Sequence, residues 1–141
     1  MNTLHHRMTV LLLAACAAAA CSQQESSSET QRDVAKEQAK AQADVAKAQA
    51  DAAEKRADAR RELDKANTPS SVDSAAQDVR ETDAKARYDV AMTKAEGDYK
   101  VAMERCEGQP AAQQSACRDA AKAERDQTEA AAKQQREQQQ Q

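Results

Sequence analysis

The sequence predicts an all-α chain: an elongated alanine-rich helix followed by an antiparallel helical hairpin, with a disordered amino-terminal tether and a disordered carboxy-terminal tail. Three observations lead there. Ala, Glu, Lys, Arg and Gln dominate 141 residues that contain only two Gly and two Pro, a composition that favours long helices over sheets and loops. The hydrophobic share is 40%, yet aromatics make up 1% and Phe and Trp are absent. Most of that share is therefore alanine, which buries one methyl per residue and cannot fill a thick core. Finally, DVAKEQAKAQA at 33–43 is echoed by DVAKAQADAAE at 44–54, and YDVAMTKAEGD at 88–98 by YKVAMERCEGQ at 99–109. Eleven residues make three helical turns, so both echoes read as helix. The formal net charge of -3, with both signs interspersed, predicts no nucleic-acid partner.

The chain opens with an address. Residues 1–20, MNTLHHRMTVLLLAACAAAA, carry Arg7, an apolar run from Met8 and small residues leading into Cys21. A run of about 13 residues is too short to span a bilayer, which takes roughly 20, and reads as a removable signal. The segment resembles the signal peptide of bacterial lipoproteins, in which a cysteine after a small-residue lipobox receives a diacylglyceryl group and becomes the mature amino terminus. The resemblance implies attachment to a membrane through an amino-terminal lipid, in the cell envelope. Two cysteines fit the role. Leu13, Ala14, Ala15 and Cys16 match the lipobox best, whereas Cys21 follows a fuller apolar run and opens directly into SQQESSSE. Lipidation at Cys21 also discards Cys16 and leaves the even pair Cys106 and Cys117, so Cys21 is preferred and Cys16 is the alternative. Ser22 resembles the outer-membrane sorting class, which implies an anchor facing the periplasm. Ordinary cleavage after Ala20 would instead give a soluble periplasmic or secreted protein.

Residues 21–29 hold the anchor and a serine-rich tether without apolar periodicity. A long charged helix is expected over 30–67, starting at Thr30 with Asp33 or at Ser28 with Gln31 as capping pairs. On it Val34, Ala41, Val45, Ala48, Ala52, Ala59, Leu63 and Ala66 form one shallow stripe, able to dock weakly or to stand as a solvated rod. Lys55 and Arg56 intrude on a coiled-coil seam, and the charges around Arg56, Arg60 and Arg61 read as a solvated face. Pro69 disfavours helix at Thr68, so 68–71 reads as a hinge or kink, with Ser70 and Asp73 at capping-box spacing.

Residues 72–133 are expected to form the hairpin. Ala84, Tyr88, Met92, Ala95, Tyr99, Met103 and Cys106 share one sector about 100° wide, while Val72, Val79, Val90 and Val101 fall opposite. Tyr88, Met92, Tyr99 and Met103 supply the stronger packing face. Gly108 suits a left-handed helix end and Pro110 the first turn of the next helix. Beyond them Cys117, Ala120, Ala121, Thr128, Ala131 and Ala132 offer a small-residue surface. A Cys106–Cys117 disulfide would clamp this turn in an oxidising compartment. A metal site is disfavoured because no histidine follows His6 and two thiolates do not complete a zinc site. A redox motif is disfavoured because the pair lacks C-x-x-C spacing. Gly97, in mid-helix, costs about 1 kcal/mol relative to alanine.

From Gln134 the chain reads QQREQQQQ, a low-complexity tail over 134–141 expected to be disordered. No cofactor, metal ligand set, nucleophile with a base or phosphate loop is recognisable, so a non-enzymatic role is expected. The leading expectation is a structural or interaction element of the cell envelope that holds its hairpin away from the anchor, to meet another envelope protein or peptidoglycan. The alternative is a soluble, hydrated, stress-protective helical protein, whose 11-residue repeats resemble those of desiccation-associated proteins.

Overall fold

The computed structural model describes residues 26–139, and among them every regular element is helical. The order is α1 (Ser27–Lys65), α2 (Pro69–Glu107) and α3 (Ala111–Gln139). The signal segment 1–20 and both lipidation candidates, Cys16 and Cys21, lie outside the described residues. No helix among the described residues is long and apolar enough to cross a membrane.

α1 starts earlier than either expected cap. Ser26, extended at φ -65° and ψ 145°, is the N-cap of a capping box closed by Glu29. Ser26 Oγ accepts from the Glu29 N–H at 3.3 Å, and the Ser26 N–H donates to Glu29 Oε2 at 3.1 Å. A glutamate at the third helical position reaches back where Gln31 or Asp33 would not, which takes the helix into the serine-rich segment read as tether. At the other end Ala66 is extended and its N–H donates to Leu63 O at 3.1 Å.

Pro69 does not kink a continuing rod; it starts a new helix that runs back along the first. Its ring restricts Thr68 to φ -121° and ψ 152°, an N-cap geometry, and its missing N–H is one that the first turn leaves unpaired in any case. Thr68 and Ser71 form the capping box: Thr68 Oγ1 accepts from the Ser71 N–H at 3.2 Å, and Ser71 Oγ from the Thr68 N–H at 3.0 Å. The expected hinge at 68–71 is therefore mostly helix, and the reversal takes place over Ala66, Asn67 and Thr68.

The result is a row of three antiparallel helices with α2 in the middle. α1 and α3 each pack on α2 and share no comparable contact with one another. Ala41 lies against Gly97, Thr30 against Gly108, and Arg56 pairs with Asp83. The same register sets Ala52 opposite Ala86 and Leu63 opposite Ala75. Every residue of the expected α1 stripe is buried or half-buried, with Ala52 the most enclosed. α1 is thus docked along its length rather than free.

An 11-residue spacing organises both seams. Ala84, Ala95 and Cys106 are buried towards α3, while Ala86, Gly97 and Gly108 face α1, each two residues further on. Two residues turn a helix by about 200°, so each small-x-small pair presents opposite sides of α2 to opposite neighbours. Eleven residues complete three turns at 3.67 residues per turn, which keeps both seams straight along the helix. The side carrying Val79, Val90 and Val101 is therefore a second packing face, with Val101 buried and Val72, beyond the close seam, exposed.

α3 runs to Gln139, past the expected helix end at 133. Glutamine is a good helix former, and Arg136 in this stretch lies over the Tyr88 ring. Buried residues of α3 are Ala121 and Ala132, spaced by 11. Ala120, Thr128 and Ala131 of the expected small-residue surface are exposed. The seam is rotated so that Arg125 and Arg136, rather than those small residues, meet the tyrosines.

Candidate functional site

The Tyr/Met face and the cysteine pair come together at the α2–α3 seam. Cys106 ends the buried row of α2 and is fully enclosed, and it is joined by a disulfide to Cys117, with Cα atoms 5.6 Å apart. Gly108 between them has φ -74°, so the left-handed geometry expected there is not used. What its lack of a side chain admits is α1: a Cβ at Gly108 would fall 2.7 Å from Thr30 Cγ2. Gln114 completes the turn. Its Nε2 donates to Glu107 O at 3.0 Å and to Gln109 O at 3.1 Å, satisfying carbonyls that the end of α2 leaves without partners. Arg118 faces Glu107 across the clamp at 3.9 Å.

Beyond the clamp the seam is built from aromatic faces and guanidinium groups. Arg125 lies 4.5 Å from the Tyr99 ring centroid and Arg136 4.5 Å from that of Tyr88. The two stacks repeat at 11 residues on both helices, as the buried alanines do. Asp126 holds the Arg125 guanidinium through Nη2 at 2.8 Å and Nε at 3.1 Å. That hydrogen bond, reinforced by Glu129, raises the Arg125 pKa above its ordinary value. The arginine is therefore a fixed cation on the tyrosine ring. Met92 and Met103 are half-buried beside this row. All four predicted packing residues thus lie along the same region of α2, but the partners of the tyrosines are arginines, which the sequence reading had not singled out. The available signal was spacing: Arg125 and Arg136 are 11 apart, like Tyr88 and Tyr99.

Between the helices an open cleft of about 540 Å³ runs along α2, lined by Gln38, Gln42 and Val45 from α1, Asp98, Ala102 and Arg105 from α2, and Glu124 and Thr128 from α3, among others. Its walls mix methyl groups with solvated amides and charges. Among the described residues no polar or charged residue is buried, and no group of three or more His, Cys, Asp or Glu there is arranged to hold a metal ion. Arg56, expected on a solvated face, instead meets Asp83 across the α1–α2 seam at 2.7 Å, and Asp83 also pairs with Arg87 at 2.8 Å. Among the described residues, two carboxylates have lowered pKa values. Glu29 is lowered by its hydrogen bonds from the Ser26 side chain and backbone. Glu62 is lowered by the hydrogen bond from Lys65 and by that residue's charge. Comparison with protein-family profiles, curated proteins and solved structures finds no match to this chain.

Proposed function

We propose that the protein is a non-enzymatic element of a bacterial cell envelope, lipid-anchored at Cys21 and facing the periplasm from the outer membrane. In this reading its paired helices engage another envelope protein or peptidoglycan. The observation that carries the reading is the location of the amino end of α1. Thr30 lies beside Gly108, so the start of α1 and the disulfide-clamped turn occupy one end of the molecule, and the Ala66–Thr68 turn occupies the other. Ser26 is five residues beyond Cys21, a reach of at most about 18 Å. An anchor there would stand the molecule on its clamped end. A 39-residue helix would then lift the Ala66–Thr68 turn about 58 Å from that end. The surface held farthest from the membrane is thus the α1–α2 turn, not the α2–α3 hairpin.

Intact mass of the natively expressed protein tests the anchor. The expected species is a triacylated chain beginning at Cys21 that gains two protons on reduction without dividing into subunits. Cys21→Ser should move the protein from the membrane fraction to the soluble fraction, whereas Cys16→Ser should not. An unlipidated chain in the membrane-free fraction overturns the reading, and so does crosslinking in intact cells that recovers neither an envelope protein nor peptidoglycan. Low helical content in dilute buffer, rising on drying, would favour the soluble protective alternative.

A further inference from the structure

We propose that the Cys106–Cys117 disulfide is a redox latch that holds α3 over the Tyr/Met face of α2, and that its reduction by a dithiol frees α3 while α1 and α2 stay paired. The two seams are unequal in kind. The α1–α2 seam is closed by direct backbone approach, with Ala41 on Gly97 and Thr30 on Gly108, and by the Arg56–Asp83 ion pair. It contains no cysteine. The α3 side buries alanines on both helices and adds two stacked arginines, but its polar ties to the end of α2, from Gln114 and Arg118, cluster at the turn that the disulfide closes. Among the described helices α3 packs closely on α2 alone, and α1 faces it only across the open cleft.

The two sulfurs also differ in access. Cys106 is fully enclosed, whereas Cys117 is half-buried on α3. A thiolate of the dithiol attacks Cys117 Sγ, forming a mixed disulfide and expelling Cys106 as a thiolate, which takes a proton. The second thiol of the reagent, as thiolate, then displaces Cys117, which is protonated in turn. Two electrons and two protons pass to the cysteine pair, and the reagent closes its own disulfide. Once the latch is open, closing the turn is no longer prepaid in the detached state. Release uncovers the rings of Tyr88 and Tyr99 beside the half-buried Met92 and Met103, a face about 23 Å long at helical rise and the strongest apolar one on that helix.

Segment-resolved hydrogen exchange on the full chain, with and without dithiothreitol, tests this. On reduction the α3 amides should exchange about 100-fold faster, the factor expected for losing the loop constraint. Amides of α1, and those of α2 facing it, should keep their protection. Re-oxidation with diamide should restore the slow exchange. Cys106→Ala with Cys117→Ala should show the fast α3 exchange without reductant. Unchanged α3 protection after verified reduction overturns the proposal; so does loss of protection in all three helices together, which would make the bond a general stabiliser. None of these readouts depends on whether the chain carries a lipid.

Discussion

Gly97 shows how far the close seam is decided by single atoms. In an isolated helix, replacing glycine with alanine stabilises by about 1 kcal/mol. Here the added Cβ would lie 2.8 Å from Ala41 Cβ, an atom carried directly on the backbone of a packed helix. We expect Gly97→Ala to lower the urea midpoint and Gly97→Leu to cost about 1 to 3 kcal/mol, in the range of overpacked cores. A stabilised Gly97→Ala would show that the helices stand further apart. At Ser26 and Glu29 the relevant variable is pH. The folded-state pKa of Glu29 is lowered by Ser26, so its contribution is present above the unfolded value, about 4.3, and is lost as pH falls through the lowered folded value. Carboxyl NMR titration should find Glu29 below the ordinary glutamate range, with the first turn of α1 fraying over that same acidic interval. Ser26→Ala should return Glu29 towards its ordinary value. For the stacked pair, a double-mutant cycle of Tyr99→Leu and Arg125→Ala should give a coupling of about 0.5 to 1 kcal/mol.

At the scale of an element the governing quantity is the 11-residue period. The connection at 66–68 fixes the register of α1 on α2. Deleting 44–54 therefore moves Ala41 into the place of Ala52 and Thr30 into that of Ala41, with the packing face preserved. Deleting 44–53 instead rotates everything before the cut by about 100°. Circular dichroism should show the first variant melting cooperatively at a lower temperature and the second losing the transition. Much of this period was legible in the sequence, because the echoes at 33–54 and 88–109 state it and the α1 stripe follows from it. What was not legible was that α2 uses two sides. The Tyr/Met side dominates by surface area, and the valine side reads as the weaker remainder until glycine is understood as an approach surface. Gly97 reads as a helix cost in the sequence and is a contact in the fold. The caps are hard to read because several Ser and Thr residues fit the pattern, and the choice rests on Glu29 reaching back to Ser26 and on Pro69 holding Thr68 extended.

For the whole molecule, antiparallel return replaces extension. A long helix joined end to end with a separate hairpin would exceed 100 Å at helical rise; α1 folded back on α2 leaves a body about as long as one 39-residue helix. Spin labels at Ser28 and Gln109 should report a short distance, and labels at Ser28 and Asn67 one of about 58 Å. A long separation in the first pair would contradict the fold. The direction of the return was beyond sequence reasoning, since Pro69 after a polar segment is compatible with a kink, a hinge or a reversal. The choice falls to the register of small residues on two helices that the sequence presents separately.

The shared end of α1 and the clamped turn sets how the molecule would answer a pull. Tension applied between the amino end and the Ala66–Thr68 turn travels along α1 alone, through its own backbone hydrogen bonds, because α2 hangs from that turn and α3 from α2. Neither seam is sheared. A pull on the far end of α3 against the amino end is different: force then crosses from one helix to the next, and the Cys106–Cys117 bond is the one covalent shortcut along that route. The same three helices are thus a tether when the load is taken at the α1–α2 turn and a series of sliding contacts when it is taken at the end of α3.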